Sequence, residues 1–143
     1  MKLVSLVLVA LLVGCAFTAQ VLTRGDDLKK YLEGGKDGTF IILFYDREAP
    51  QIRTEEMRNQ IRSKILNNNP NFNYYEVDVQ EREYDTIVDG MMKIDREEVK
   101  YSPTILVASE GRGYWAHGDS AVDDIAYHLP EYSIDYIRAS RQK

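Results

Sequence analysis

The chain has 143 residues, enough for one folded domain and too few for two of ordinary size. Its 23 acidic and 18 basic side chains give a formal charge of −5, which argues against electrostatic binding to nucleic acid or to an anionic membrane surface. Because Cys15 is the only cysteine, a hydrophobic core without disulfides has to stabilise the fold.

The N-terminal segment differs in composition from the rest of the chain. Lys2 supplies a positive start, residues 3–13 are apolar apart from one serine, and small residues predominate in 14–19. This order is typical of a secretory signal peptide, with cleavage after Ala16 or after Ala19. The segment therefore predicts that the chain is targeted to the secretory pathway.

We assign residues 1–19 to the signal peptide and residues 20–143 to one domain, and we expect the protein to be secreted or to lie in the lumen of the endoplasmic reticulum. Two alternatives stay open. The mostly apolar run 3–22 is about long enough to span a bilayer as an uncleaved anchor. The residues that end in Cys15 also match a bacterial lipobox, in which the cysteine is lipidated. Attachment to a membrane is expected only in these two cases.

The predicted elements begin with a short edge strand at residues 21–22. A helix then starts at Asp26 or Asp27, which are suitable N-caps, and ends near Gly34. Residues 39–45 form an unbroken apolar run rich in β-branched and aromatic side chains. Such a run predicts a central strand that is buried on both faces.

A helix follows this strand, and Pro50 suits its first turn because proline lacks the N–H that would be unpaired there. The apolar residues recur at helical spacing: Ile52, Met57, Ile61 and Ile65. The Asn-rich residues 67–71 end the helix, residues 72–79 alternate as a strand, and residues 82–92 are predicted to form another helix.

The last third of the chain predicts a hairpin and a helix. Residues 104–108 are an apolar strand, 109–113 a glycine-bearing turn and 114–117 the returning strand. Residues 118–120 then open a helix that Pro130 should break before a further helical segment. The whole order, β-α-β-α-β-α-β-β-α, predicts an α/β domain with a central mixed sheet of about five strands and helices on both faces.

In this order of elements the chain resembles the thioredoxin-like superfamily, the class of thioredoxin and protein disulfide isomerase domains, over about residues 20–139. Three local motifs carry the resemblance: a strand that enters the turn Glu48-Ala49-Pro50-Gln51, the segment Tyr101-Ser102-Pro103-Thr104 before an apolar strand, and a hairpin followed by Gly118.

The resemblance implies a degenerate redox motif at residues 48–51. Matching Pro50 to the turn proline of the family puts Glu48 and Gln51 where the family has its Cys-x-x-Cys pair. Matching the Phe-Tyr pair before the turn to that of disulfide isomerases shifts the register by one residue and again finds no cysteine. Since a thiolate is the nucleophile of disulfide exchange, the chain is expected to be redox-inactive and not an oxidoreductase. Glu48 is then either a recognition carboxylate or a solvated turn residue.

The resemblance further implies a cis-proline at Pro103, where the preceding residue offers backbone groups to an extended peptide. That interaction needs no thiol. We therefore interpret the chain as a protein-binding or structural module, with Ser102 and Pro103 as hypothetical peptide-binding residues. A thiol-independent chaperone or a non-thiol enzyme that uses this cis-proline groove, with Glu48 and Ser102 as participants, remains the alternative.

No motif points to a cofactor or a metal. The two histidines, His117 and His128, lie far apart in sequence, and no cysteine accompanies them in the mature chain. We expect no metal, no cofactor and no nucleic acid, and a polypeptide or a protein-complex subunit as the partner. The apolar residues after Pro130 would be the best surface for such a partner if the monomer left them uncovered: Tyr132, Ile134, Tyr136 and Ile137.

Overall fold

The structure is a computed structural model that describes residues 25–142. Its strands are β1 Thr39–Tyr45, β2 Asn73–Asp78, β3 Thr104–Ser109 and β4 Arg112–His117. Its α-helices are α1 Gly25–Lys30, α2 Ile52–Lys64, α3 Arg96–Tyr101, α4 Ala121–His128 and α5 Ile134–Arg141. The predicted signal, anchor and lipidation segments all lie outside these residues. Between residues 25 and 142, no helix is both long and apolar enough to cross a membrane.

The strands form one mixed sheet in the order β2-β1-β3-β4. β1 is parallel to β2 and antiparallel to β3, and β3 and β4 are antiparallel neighbours. The predicted α/β class and mixed sheet are confirmed. The sheet of the described residues has four strands rather than about five, and the strand predicted at residues 21–22 lies outside them.

β1 is buried on both faces, as its unbroken apolar run predicts. Phe40, Ile42 and Phe44 contribute to a core under α1 and the turns that follow β2. Ile41 and Leu43 point to the opposite face and pack with α2 and α4. Because successive strand residues alternate between faces, one short strand holds both helical layers together. The carboxyl end of β1 is thereby fixed relative to the start of α2.

The helix predicted over residues 82–92 is present as a continuous helical segment, although it is not a regular α-helix. A 3₁₀ turn, Arg82–Tyr84, continues through Asp85 (φ −55°, ψ −38°) into a π-helical segment, Thr86–Met91. Gly90 is a poor helix former, and Lys93 has a φ of 51°, in the left-handed region where a right-handed helix cannot continue. The chain therefore turns before it returns to the sheet.

α3 is a helix that the sequence analysis missed. Asp95 is its N-cap, and the Oδ1 atom accepts from Glu97 N at 2.9 Å and from Glu98 N at 3.2 Å. An aspartate followed three residues later by a glutamate is a recognised start signal for a helix. The shortness of the helix hid its apolar spacing, since only Val99 is buried.

Arg96 ties α3 to the preceding turns. Its Nη2 lies 2.8 Å from Asp85 Oδ1 and its Nε lies 2.8 Å from Asp89 Oδ1. The hydrogen bond to the guanidinium holds the pKa of the Asp89 carboxyl below its usual value. These contacts fix the direction of α3 and hence the positions of Lys100 and Tyr101 at its end.

The predicted break at Pro130 is confirmed, since α4 ends at His128 and a 3₁₀ turn leads to α5. Glu110, in the hairpin turn, receives Arg138 Nε at 3.5 Å and Arg141 Nη1 at 2.9 Å. Ile137 is fully buried. The last helix therefore packs onto the end of the sheet that is opposite to the start of α2.

Candidate functional site

The turn between β1 and α2 contains residues 48–51, which the resemblance interprets as a degenerate motif, and internal hydrogen bonds hold this turn. The backbone oxygen of Asp46 accepts from Ala49 N at 3.1 Å and from Gln51 Nε2 at 2.9 Å. Gln51 Nε2 also donates to the backbone oxygen of Ala49 at 2.6 Å. Pro50 is exposed, and α2 begins at Ile52. The amide of Gln51 therefore shapes the turn at the position where the family resemblance places a second cysteine.

Two buried carboxylates support this turn, and the sequence analysis missed both. Asp46 is 2 % exposed and Asp78 is 7 % exposed. Asp46 accepts from Glu48 N at 2.8 Å through Oδ1 and from Gln80 Nε2 at 3.0 Å through Oδ2. Asp78 Oδ1 accepts from Gln80 N at 3.0 Å and from Arg47 N at 3.3 Å. Since buried carboxylates need hydrogen-bond donors, the two acids order the backbone around them.

The position of these acids follows from the register of the sheet. Tyr45, the last residue of β1, pairs with Asp78, the last residue of β2. Asp46 is the next residue, so both acids lie at the carboxyl ends of neighbouring parallel strands. The sequence signal that could have revealed this pair is an aspartate at the end of each of the two predicted strands.

A cleft of about 680 Å³ opens beside the turn. Its lining is Asp46, Glu48, Ala49, Pro50, Ile52, Arg53, Lys100 and Tyr101. Ile52 is 72 % exposed and Tyr101 is 77 % exposed, although both are large apolar side chains. Large apolar groups left in water beside a concave surface are typical of binding sites.

The structure places Ser102 and Pro103 between α3 and β3, where both are buried. The expected cis bond at Pro103 is wrong, since residues 25–142 contain no cis peptide bond. Ser102 has φ −155° and ψ 137°, the extended conformation usual for a residue before proline. Its N–H donates to Glu98 O at 3.1 Å and so is already engaged. One of the backbone groups that the resemblance implied for a peptide is therefore in use.

The side chain of Ser102 remains available. It is 4 % exposed and lines a second cleft, of about 330 Å³. Its hydroxyl makes no hydrogen bond to another residue in the described part of the chain. The two clefts share Ile52 and Arg53, so they adjoin at the first turn of α2. We call the two clefts together the α2 groove; it brings the predicted residues Glu48 and Ser102 to one surface.

The charged side chains of the α2 groove differ in how they are paired. Arg53 Nη1 lies 2.7 Å from Asp119 Oδ1, and Lys100 Nζ lies 2.7 Å from Glu97 Oε1. The hydrogen bond to Glu97 raises the pKa of Lys100, with smaller contributions from other acids. The Glu48 carboxylate has neither an ion pair nor a hydrogen bond within residues 25–142.

The two histidines have separate surroundings. Nδ1 of His117 lies 3.3 Å from Thr104 Oγ1, and Nδ1 of His128 lies 3.2 Å from Glu131 Oε1. No group of three or more metal-binding side chains occurs within the range that the structure describes. That the protein binds no metal remains a prediction.

The surface predicted after Pro130 is largely covered in the monomer. Ile137 is buried, and Tyr132 and Ile134 are partly buried. Thr39 Oγ1 also donates to the backbone oxygen of Tyr132 at 3.1 Å. Of the four residues, only Tyr136 is classed as exposed. These residues would have formed a partner surface only if the monomer left them uncovered, and it covers most of them.

Comparison with solved structures identifies the fold as thioredoxin-like. Thioredoxin O2 from Arabidopsis thaliana in the oxidized state has a TM-score of 0.58 and 14 % identity, over 78 % of this chain and 92 % of that chain. A chain from a structure of the thiol-resolving mechanism of yeast mitochondrial 1-Cys peroxiredoxin gives 0.58 and 14 %, over 80 % and 95 %. Chloroplastic thioredoxin z gives 0.54 and 14 %, over 79 % and 96 %. No protein-family profile and no curated protein sequence matches the chain.

The chemistry open to the α2 groove differs from that of these redox proteins. Residues 25–142 contain no cysteine, and Cys15 is the only one in the sequence. A catalytic cysteine pair is therefore absent, and a thiol–disulfide oxidoreductase is not indicated. What the groove offers is apolar contact area, a free carboxylate and an unpaired hydroxyl.

Proposed function

We propose that this chain, whose fold is thioredoxin-like, is a redox-inactive protein of the secretory pathway that binds polypeptide segments in the α2 groove. The observation that carries the proposal is the exposure of Ile52 and Tyr101 at a cleft beside the degenerate motif. Apolar side chains of a polypeptide would remove these two residues from water. Such binding needs no thiol, which agrees with the absence of cysteine from the turn in either register of the resemblance.

The redox part of the proposal is tested by insulin reduction. The purified mature chain is expected to give no increase over the background rate in the presence of dithiothreitol, because no protein thiolate is available to attack a disulfide. An active thioredoxin assayed in parallel is the control. Catalysis by the mature chain would refute redox inactivity.

The compartment is tested by intact mass spectrometry of the natural protein. The signal-peptide proposal expects a chain that starts after Ala16 or after Ala19. A chain that retains Met1 would favour the anchor, and a lipidated Cys15 at the N-terminus would favour the lipoprotein. Either result would overturn a freely soluble secretory protein.

Polypeptide binding is tested by fluorescence anisotropy with labelled, unstructured peptides of varied sequence. Saturable binding is expected for peptides that can place an apolar side chain in the cleft. The absence of saturable binding across the whole set would refute the proposal.

A further inference from the structure

Acidic side chains outnumber basic ones in the lining of the α2 groove: Asp46, Glu48, Glu56 and Asp119 stand against Arg53 and Lys100. Both of its cations, Arg53 and Lys100, are already paired with acids, Asp119 and Glu97. The Glu48 carboxylate, in contrast, makes no hydrogen bond or close ion pair among the described residues, and its neighbour Arg47 is itself paired with Asp78 and Glu81. The groove therefore presents a carboxylate without a close cation, whereas each of its own cations has an acidic partner.

Asp46 adds a second carboxylate that forms no close ion pair among the described residues. It is 2 % exposed, and both donors that it accepts from, Glu48 N and Gln80 Nε2, are neutral. A carboxylate has about four acceptor positions, so two remain. Its charge acts on the cleft, because Asp46 helps to raise the pKa of Lys100, although Glu97 contributes more.

The walls between these carboxylates and solvent are apolar. Pro50, Ile52 and Tyr101 line the cleft together with Ala49. A long side chain with an alkyl stem and a cationic head is suited to such walls, because the stem packs on apolar surface while the head reaches a polar group. An exposed tyrosine ring can also accept a cation on its face.

Ser102 supplies a polar group that is open to a ligand in the second cleft. Its hydroxyl belongs to a residue that is 4 % exposed, opens into the second cleft and has no hydrogen-bond partner in the described chain. Among the described residues, the Tyr74 hydroxyl and not that of Ser102 is the fully enclosed polar group without a partner, so the Ser102 hydroxyl can be reached from the cleft. The backbone of an extended polypeptide carries both donors and acceptors for it.

We propose that the α2 groove selects polypeptide segments with a lysine or arginine side chain. The cationic head lies between Glu48 and Asp46, the alkyl stem lies on Ile52 and Tyr101, and the segment's backbone pairs with the Ser102 hydroxyl. This selectivity rests on the proposed function. The formal charge of −5 would also speed the encounter with a basic partner.

The test uses three labelled peptides that are identical except at one central position, which is lysine, N-acetyl-lysine or glutamate. Acetylation keeps the stem and removes the charge. It is expected to weaken binding about tenfold, since it removes charge-assisted contacts with two carboxylates. Glutamate at that position should weaken binding at least as much, and added salt should weaken only the lysine peptide.

The protein variant for this test is Glu48→Gln, which preserves shape and removes the free charge. It should weaken the lysine peptide about threefold, the scale of an exposed ion pair, and leave the acetylated peptide unchanged. Asp135→Asn removes one charge from α5, at the far end of the sheet, and should change neither peptide. Circular dichroism melting of each variant checks the fold.

The outcomes separate this inference from the function on which it rests. Equal affinity for the three peptides would overturn the cation preference and leave polypeptide binding standing. Absence of binding by all three, together with the wider peptide set, would overturn both. A threefold loss with Asp135→Asn equal to that with Glu48→Gln would show that net charge, and not the groove, attracts the peptide.

Discussion

Ile52→Asp is expected to lower peptide affinity more than tenfold while the protein stays folded. Ile52 lines both clefts of the α2 groove and is 72 % exposed, so the substitution removes apolar contact area at the centre of the proposed site. It also forces a bound apolar side chain to desolvate a carboxylate, which costs more than the lost contact alone.

The fold should tolerate this change for a specific reason. Residue 52 is the first residue of α2, where an acidic side chain interacts favourably with the helix dipole. The matched control is Tyr127→Asp, which makes the same kind of change at an 81 % exposed side chain on α4. Affinity is measured by anisotropy with peptides of the set that carry apolar side chains and no lysine or arginine, because a peptide cation would pair with the new carboxylate. Equal affinities for Ile52→Asp and the unchanged protein would place binding elsewhere and refute the groove.

Asp46→Ala is expected to destabilise the domain by about 2–3 kcal/mol, a large share of the 5–15 kcal/mol typical of a domain. The substitution leaves Glu48 N and the side-chain amide of Gln80 without their acceptor. Each buried donor that loses its partner costs about 1–3 kcal/mol, and the total is reduced where water enters. The midpoint and slope of urea unfolding give the change in free energy.

Glu48→Ala is the control for Asp46→Ala, because its side chain has no partner in the described chain and is exposed. Its effect should stay within about 0.5 kcal/mol, as for other exposed positions. If Asp46→Ala also lowers the free energy of unfolding by less than about 0.5 kcal/mol, backbone hydrogen bonds alone hold the turn.

The regular part of the fold could be predicted because its patterns are local. The apolar run of β1 and the helical spacing of Ile52, Met57 and Ile61 reflect burial that each segment shows by itself. The helix break at Pro130 has an equally local cause. Helix α3 could not be predicted in this way, since it has one buried residue and is held by Arg96 through contacts with the preceding helical segment.

The candidate site was predictable only in part for the same reason. The turn residues Glu48 and Gln51 stand out because a cysteine pair is missing from a recognisable context. Tyr101 and Lys100 reach the cleft from α3, so their contribution depends on a helix that sequence patterns did not reveal. The trans bond before Pro103 was missed because the isomer was taken from the resemblance, and no local pattern in the sequence specifies it.

The hydrogen bonds from the Gln51 side chain to its own turn affect how the α2 groove binds a polypeptide. Its side-chain amide bridges the backbone oxygens of Asp46 and Ala49, so one wall of the groove has a fixed shape in the free protein. This wall of the groove does not have to become ordered when a polypeptide binds. The conformational entropy lost on binding is therefore mainly that of the polypeptide. Discrimination among partners should accordingly depend on how flexible each free partner is, with pre-extended segments favoured over coiled ones of equal composition.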